Sequence, residues 1–337
     1  MRKSRPARPS TAPEASTGGA LLRRTVLMDL KIRETTKRFD PTAIPSSSPT
    51  AEAGLTNRAP HPASGGPSWV IIKAEEAGVQ LNLGDLWAYR ELLYFLTLRD
   101  IKVRYKQTLM GVAWVVIQPL FLMLIVTLIF NRFARLDAAG MPYPLSAYTG
   151  LLLWAFFSNA VTNSTTSLIN NTNLITKVYF PRMFIPAAAV GAGLVDLAIA
   201  SFVLVGLAAY YGVTLSWSAV LLPLFIVLLA LLALSIGLLI SALTVKYRDL
   251  RHALPFLLQF WMFASPVIYP VSVIPERWRW ILIINPLTGI LEGFRAALAG
   301  HSLDWRAAGF STALTAALLA CAVYVFRRIE DTFADLI

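Results

Sequence analysis

Six apolar runs constrain the fold of this chain more than any other feature of its sequence. They lie at about residues 111–131, 145–163, 183–210, 218–245, 253–270 and 307–326. Each run approaches the roughly 20 residues that an α-helix needs to cross the hydrocarbon core of a bilayer. Because backbone groups in lipid must be paired within one element, the runs predict an all-α membrane protein with six transmembrane helices. The second and fifth runs carry polar residues or prolines, so we expect them to be surrounded by other helices.

The composition supports a membrane protein. Hydrophobic residues make up 56% of the chain and charged residues 15%, whereas soluble domains carry about 25% charged residues. The net charge of +11 would favour nucleic acid in a soluble protein, but here many cations flank apolar runs. Cations in these positions orient a protein in the bilayer and contact anionic lipid, so we expect membrane lipids and no nucleic acid as partners. The single cysteine, Cys321, excludes an internal disulfide.

The chain divides into three parts by composition. Residues 1–68 hold nine of the twenty prolines and several Ser, Thr and Gly clusters, which predicts a disordered, basic cytoplasmic extension. Residues 69–110 form an N-terminal segment with an amphipathic interfacial helix, and residues 111–337 form the six-span transmembrane domain. Between the fifth and sixth runs, residues 282–290 are apolar but too short to span, and Pro286 interrupts them. This segment is typical of a re-entrant or interfacial hairpin.

The segment Asp85–Lys106 is basic and rich in aromatic residues, and an apolar run follows it directly. Arg99, Lys102 and Lys106 are spaced i, i+3 and i+7, so one face of a helix would carry the positive charge. Such a helix lies along the membrane surface. From physical chemistry alone, an ordinary juxtamembrane anchor explains the pattern equally well. We call residues 85–106 the basic helix.

The same residues carry a family resemblance. Arg90–Leu96 and Arg99–Thr108, followed by Gly111 and Trp114, resemble the start of the membrane subunits of type 2 ABC exporters. Within that group they are most similar to permeases that export O-antigen, capsule and teichoic-acid polymers. The resemblance covers about residue 69 to the C-terminus. It implies an interfacial gate helix, six spans and short re-entrant helices before the last span, and residues 274–295 resemble that last element.

No catalytic or metal-binding pattern is present in the sequence. The chain lacks the Gly-rich phosphate loop ending in Gly-Lys-Ser/Thr, and His61, His252 and His301 are scattered without metal-ligand spacing. We therefore expect a transporter subunit that is not an enzyme and binds no cofactor. If ATP drives it, then ATP and Mg are bound by a separate subunit, as the resemblance also implies.

The segment 170–182 between the second and third runs combines an Asn/Thr cluster with Pro181. The cluster can cap a short helix and the proline can end it. A plain connecting loop is the simplest interpretation, but the resemblance implies a coupling helix that docks on the ATPase subunit. The candidate coupling residues are Asn171, Lys177, Tyr179, Phe180 and Arg182. The corresponding candidates on the gate helix are Trp87, Tyr94, Arg99, Lys102 and Lys106.

Two further features bear on transport. Aromatic rings stack on the apolar faces of sugars, and the resembled exporters line their conduit with aromatics, although most such residues serve as interfacial belt or core. The candidate conduit aromatics are Trp114, Trp154, Phe157, Trp261 and Tyr269. Asp196 is the only charge between Arg182 and Lys246. An isolated intramembrane acid can relay protons, but without a second deep acid we expect it to be satisfied by hydroxyls or amides at a helix contact.

With the N-terminus inside, eleven flanking cations are cytoplasmic and six are outside. This bias places both termini in the cytoplasm of a bacterial inner-membrane protein. The expected function is therefore the membrane subunit of an ABC exporter for lipid-linked polysaccharide, working as a homodimer with two ATPase subunits. A type 2 permease for a drug or another small molecule remains open. A multi-pass enzyme acting on lipid-linked sugars would need paired acids or a metal site, and an ion-coupled transporter would need more buried ionisable groups.

Overall fold

The computed structural model describes residues 87, 89–106, 111–130, 141–178, 180–213, 216–330 and 333. The extension at residues 1–68 lies outside the described residues, so its disorder stays a prediction. In the described part of the chain the regular elements are α-helices with two short 3-10 turns at Trp217–Leu221 and Val271–Val273. The all-helical expectation is therefore confirmed. The helices are α1 Arg90–Lys106, α2 Gly111–Ile129, α3 Tyr143–Asn170, α4 Thr172–Lys177, α5 Phe184–Tyr210, α6 Leu222–Lys246, α7 Leu250–Phe263, α8 Glu276–Ile284, α9 Pro286–Ala299 and α10 Trp305–Glu330.

The central element is α3, a helix of 28 residues that packs most extensively against α5 and α6. Its apolar side chains, among them Tyr148 and Phe157, are fully buried, and the Tyr148 hydroxyl donates to the Ala200 carbonyl at 3.0 Å. Close contact with α6 depends on Gly237, where a Cβ atom would lie 2.4 Å from the Ser164 hydroxyl. The bundle is thus built around α3, with α5 and α6 on its buried sides.

Three helices are long and apolar enough to cross a membrane: Phe184–Tyr210, Trp217–Lys246 and Trp305–Glu330. The pair α8 and α9 would make a fourth if the two helices form one broken span. The α2 helix is shorter, and α3 is about 42 Å long but more polar. The described helices therefore provide three or four apolar spans, and the count of six stays a prediction.

The fifth predicted run, 253–270, is not one continuous helix. Helix α7 ends at Phe263, and the chain turns before Pro266 and the 3-10 turn at Val271–Val273. The run was identified from its apolar composition, which contains no information on where the helix ends. Fourteen residues give about 21 Å of helix, too short for a hydrocarbon core of about 30 Å.

A sharp bend of 105° separates α8 from α9 at Asn285. A residue before proline favours extended backbone, and Asn285 has φ −80° and ψ 115°. Its side-chain oxygen accepts hydrogen bonds from the Leu287 amide and from Trp261 Nε1, each at 3.1 Å, while its amide donates to Ser265 Oγ at 2.7 Å. Asn285 therefore caps α9 and ties the bend to the end of α7. Two short helices were expected here, and the structure has them.

One buried cation holds the turn after α7. Arg295 of α9 donates to the carbonyls of Pro266 and Val267, both at 2.7 Å, and contacts Glu292 Oε1 at 2.9 Å. It also donates to the Ser146 carbonyl of α3 at 3.3 Å. The sequence suggested only an outside, membrane-flanking cation at this position. The structure instead shows a buried side chain that satisfies backbone carbonyls left free where α7 ends.

Candidate functional site

The short helix expected between α3 and α5 is present as α4, Thr172–Lys177. Its capping differs from the expectation, because the Asn171 side chain donates back to the Ser167 carbonyl at 2.8 Å and does not cap α4. The helix ends at Lys177, where Val178 adopts extended backbone four residues before Arg182. Asn173, Thr176, Lys177 and Val178 are exposed. Helix α4 thus presents a small, mostly polar surface with a single cation.

Two of the candidate coupling residues are engaged within the chain itself. Phe180 was expected to fill a pocket on a partner, but only 5% of it is exposed and it belongs to a buried cluster. Arg182 was expected to face an acidic rim, but its backbone amide donates to Glu330 Oε1 at 3.2 Å and its guanidinium donates to the Glu330 carbonyl. In this conformation both residues are engaged within the chain, and their contact with a partner stays a prediction. Tyr179 lies outside the described residues.

The cluster that contains Phe180 joins six of the described helices, and we call it the coupling cluster. Its buried members are Leu96, Leu168, Ile175, Phe180, Met183, Phe184, Ile185, Ala188, Leu238, Ala242, Val245, Ala322, Phe326 and Phe333. Leu96 comes from α1 and Ile175 from α4, while Phe326 comes from α10. Side chains in a close-packed cluster cannot move independently. The cluster therefore links α4 mechanically to α1.

Residues Arg90–Lys106 of the basic helix form α1, and Arg99, Lys102 and Lys106 share one side of it as expected. Arg99, Lys102 and Lys106 line a shallow depression together with apolar side chains, and Arg99 is also paired with Asp100 at 2.8 Å. The depression is lined by Phe95, Leu98, Arg99, Lys102, Val103 and Lys106. This outer side is therefore mixed apolar and basic. Trp87 and Tyr94 are exposed as well. Contact with the membrane surface stays a prediction.

The opposite side of α1 runs along α5 and carries an ion pair. Asp196 of α5 accepts hydrogen bonds from the Arg104 guanidinium and from the Tyr105 hydroxyl, and both donors come from α1. The Asp196 side chain is 14% exposed and that of Arg104 is 28% exposed. The hydroxyl expected at a helix contact is therefore present as Tyr105, whereas the ion pair with Arg104 was not predicted. In the sequence Arg104 lies close to an apolar run, and nothing near it indicates a partner 92 positions away.

Three of the five candidate conduit aromatics form one group. The ring centroids of Trp154 and Phe157 are 5.6 Å apart, and those of Phe157 and Trp261 are 5.3 Å apart. Phe157 is fully buried and packs in the core, so its conduit role stays a prediction without support from an exposed surface. Trp261 is fixed by its hydrogen bond to Asn285. The Tyr269 hydroxyl donates to the Phe263 carbonyl at 3.0 Å. Tyr269 therefore helps to close the turn after α7.

Trp114 and Trp154 line two adjoining depressions that we call the polar groove. The larger, of about 310 Å³, lies between α3 and α7. Its lining consists of Trp154, Ser158, Asn159, Thr162, Pro255, Leu258, Gln259 and Met262. The smaller, of about 120 Å³, lies among α2, α3 and α5 and includes Trp114, Gln118 and Asp196. Asn159 lines both depressions and so connects them.

A row of polar residues on α3 is the sequence feature that indicates this groove. Ser158, Asn159, Thr162, Asn163 and Thr166 of α3 recur at helical spacing and are partly or fully exposed along one side. The hydroxyls of Ser158, Thr162 and Thr166 donate to carbonyls of α3 itself, but the side-chain amides of Asn159 and Asn163 would lack hydrogen-bond partners if they faced lipid. A polar side on a helix that is otherwise buried therefore indicates contact with a second copy, with water or with a polar substrate.

The chain is 29% identical over 254 residues to the O-antigen export system permease protein of Myxococcus xanthus, which covers 74% of this chain and 97% of that protein. It is 28% identical to the corresponding Klebsiella pneumoniae protein over 77% of this chain and 98% of that one. It is also 25% identical to the polysialic acid transport protein of Escherichia coli, over 70% and 92% of the two chains. The model of the ABC-2 type transporter family matches residues 91–299, more than half of the chain, so this protein belongs to that family of membrane transport proteins.

Proposed function

We propose that this chain is the membrane subunit of an ATP-driven exporter that moves a lipid-linked polysaccharide outward across the bacterial inner membrane. Membership of the ABC-2 type transporter family supports the transport class. The names of its relatives, O-antigen export permeases and capsule or polysialic acid transport proteins, support the cargo class. These relatives are matched over most of their own length, so the similarity extends across the whole membrane domain.

The structural observation that carries the proposal is the polar groove. It combines an exposed tryptophan with amide and hydroxyl groups along helices that are otherwise apolar. A glycan presents hydroxyl groups at the edges of its rings and C–H groups on their faces. Amides and hydroxyls can exchange hydrogen bonds with the edges, and indole rings can stack on the faces. Two such grooves facing each other in a homodimer would form one conduit between the copies.

The assembly that we propose has two membrane subunits and two separate ATPase subunits. ATP and Mg are held by the ATPase subunits. Each membrane subunit has six spans, comprising α2, α3, α5, α6, the α7–α9 region and α10 as its membrane-embedded parts, with both termini in the cytoplasm. The cation bias of the sequence supports this orientation. Helix α1 lies at the cytoplasmic surface and serves as the gate helix.

Coupling would run from α4 to α1 through the coupling cluster. Ile175 of α4 and Leu96 of α1 are buried in the same cluster, so a displacement of α4 by an ATPase subunit shifts the packing of α1. The Arg104–Asp196 pair then carries the movement to α5, beside the groove. The two states of the ATPase dimer would bias two arrangements of these helices, and the cargo advances as they interchange.

Deletion of the gene and its complementation test the function directly. Cells that lack the chain should lose surface polysaccharide and accumulate the lipid-linked polymer on the cytoplasmic side, and plasmid-borne wild-type chain should reverse both effects. A matched variant with an intact fold but an altered groove, Asn159→Trp, should give the same accumulation. If the deletion strain keeps normal surface polymer and becomes sensitive to drugs, the cargo is a small molecule and the proposal is wrong.

A further inference from the structure

The polar groove combines hydrogen-bonding capacity with an absence of net charge. None of the eight residues that line its larger part is ionisable. Its polar groups are hydroxyls of Ser158 and Thr162 and side-chain amides of Asn159 and Gln259, which both donate and accept hydrogen bonds. The smaller part has one ionisable lining residue, Asp196, whose charge is balanced by Arg104. The described lining of the groove is therefore electrically neutral.

A cation lies beyond the larger part of the groove, at the start of α7. Arg251 precedes Pro255 by four residues on α7, so it lies one turn away on the same side of the helix. Arg251 and His252 are exposed, and Arg251 Nε contacts His252 Nε2 at 3.1 Å. We call this pair the basic end. The basic end lies outside the lining of the larger part, and that lining itself contains no cation.

This charge distribution separates two classes of glycan. A neutral sugar can replace its water shell with the amides and hydroxyls of the groove at little cost. A uronic or sialic acid residue brings a carboxylate into a low-dielectric region where the lining provides no compensating cation. Pores that conduct anions line their path with Arg or Lys for this reason.

We propose that the polar groove selects uncharged glycan segments and disfavours acidic ones, so the cargo of this exporter is a neutral polysaccharide. The inference rests on the proposed function and narrows its substrate class. It separates this chain from its relative named for polysialic acid, an acidic polymer, although both belong to one family. The exposed ring of Trp114 and the amide of Asn159 are the central contacts that the neutral segment would make.

The test uses the complete complex of this chain with its ATPase subunit, reconstituted in vesicles. The probes are two synthetic lipid-linked oligosaccharides of equal length, one built of neutral hexoses and the other with alternating hexuronic acids. ATP-dependent movement of the neutral probe should be at least about tenfold faster than that of the acidic probe. Asn159→Lys should slow the neutral probe and speed the acidic one, bringing the two rates within about threefold of each other.

Matched variants test which residues determine the preference for the neutral probe over the acidic one. Asn159→Gln keeps the amide and should keep the wild-type preference. Gln259→Lys places a cation on the facing helix α7 and should reproduce the effect of Asn159→Lys, which also covers the case in which the first variant fails to insert. Arg251→Gln alters only the basic end and should leave the ratio of the two rates unchanged.

Three results would overturn the inference. Equal rates for both probes with the wild-type complex refute charge selection while leaving the export function intact. Loss of the contact between two copies in both lysine variants, detected by cross-linking, assigns the polar side of α3 to subunit packing. Failure to move either probe, with assembly and ATP hydrolysis intact, contradicts the proposed function, and the inference falls with it.

Discussion

The contact between α1 and α5 allows a quantitative prediction. Arg104→Met removes the guanidinium that is paired with Asp196 and preserves much of the side-chain volume. The Asp196 carboxylate, 14% exposed near the middle of α5, then keeps the Tyr105 hydroxyl as its described partner. Breaking a buried ion pair by removing one partner typically costs 3–5 kcal/mol. Because Arg104 is 28% exposed and Tyr105 still donates, we expect about 3 kcal/mol, the lower end of that range.

The matched control is the double variant Arg104→Met with Asp196→Leu. It removes both charges and replaces them with apolar side chains of similar volume, which is often close to neutral for a buried pair. We therefore expect the double variant to lie within about 1 kcal/mol of the wild type, with a coupling energy between the two positions of at least about 2 kcal/mol. Tyr105→Phe, which removes only the hydroxyl, should cost about 1 kcal/mol.

The free energy of unfolding can be measured for the full chain in mixed micelles with increasing denaturing detergent, followed by tryptophan fluorescence and helicity. Export in cells provides the second readout, because loosening α1 from α5 should reduce transport in the single variants. If the double variant is as unstable as the sum of the two single variants, the side chains are not coupled, and the assigned contact between α1 and α5 is incorrect.

Four further predictions concern other parts of the chain. In a Cys321→Ser background, a cysteine at Ser302 should be labelled from outside and one at Thr176 only from inside; the reverse pattern would contradict the proposed topology. Phe180→Ala should destabilise the fold by about 3–5 kcal/mol, measured by detergent unfolding, because it opens a cavity in the coupling cluster; wild-type stability with lost ATPase binding would instead make Phe180 a docking residue. Arg295→Met should cost about 3 kcal/mol in the same assay because three carbonyls lose their donor, and Arg295→Lys should recover part of this loss; equal loss in both variants would refute the hydrogen-bonding role. The purified chain should hydrolyse ATP only when a separate ATPase subunit is added, and saturable hydrolysis without it would contradict the assignment.

Local features of the structure were predictable from the sequence because they depend on neighbouring residues. The bend at Asn285 follows from the conformational restriction that Pro286 imposes on the residue before it. The shared side of Arg99 and Lys102 followed from helical spacing. The short helix α4 lies where the Asn/Thr cluster suggested one, although Asn171 does not cap it. These patterns act over a few residues, so a single sequence contains them completely.

The partners of Asp196, Phe180 and Arg182 were not predictable in the same way. Each contact joins residues far apart in sequence: Arg104 pairs with Asp196, and Arg182 contacts Glu330 148 positions away. A basic residue beside an apolar run has the same sequence signature whether it faces lipid headgroups or a buried acid. The end of α7 was missed for a related reason, because Phe263 and Ala264 are both apolar although the helix stops between them.

The burial of Phe180 changes how coupling to an ATPase subunit should be understood. An exposed aromatic residue could have anchored an ATPase subunit that then pulls on α4. Phe180 instead packs in the coupling cluster. The outward surface of α4 consists of small and polar side chains with Lys177 as its only charge, which is a weak basis for tight binding. Such a surface is better suited to being displaced by an ATPase subunit that presses on it than to binding that subunit tightly. In the proposed complex, a force applied to α4 would reach Leu96 of α1 through the packed cluster that contains Ile175 and Phe180. The efficiency of coupling should then depend on the packing of this cluster more than on the affinity of the exposed contact.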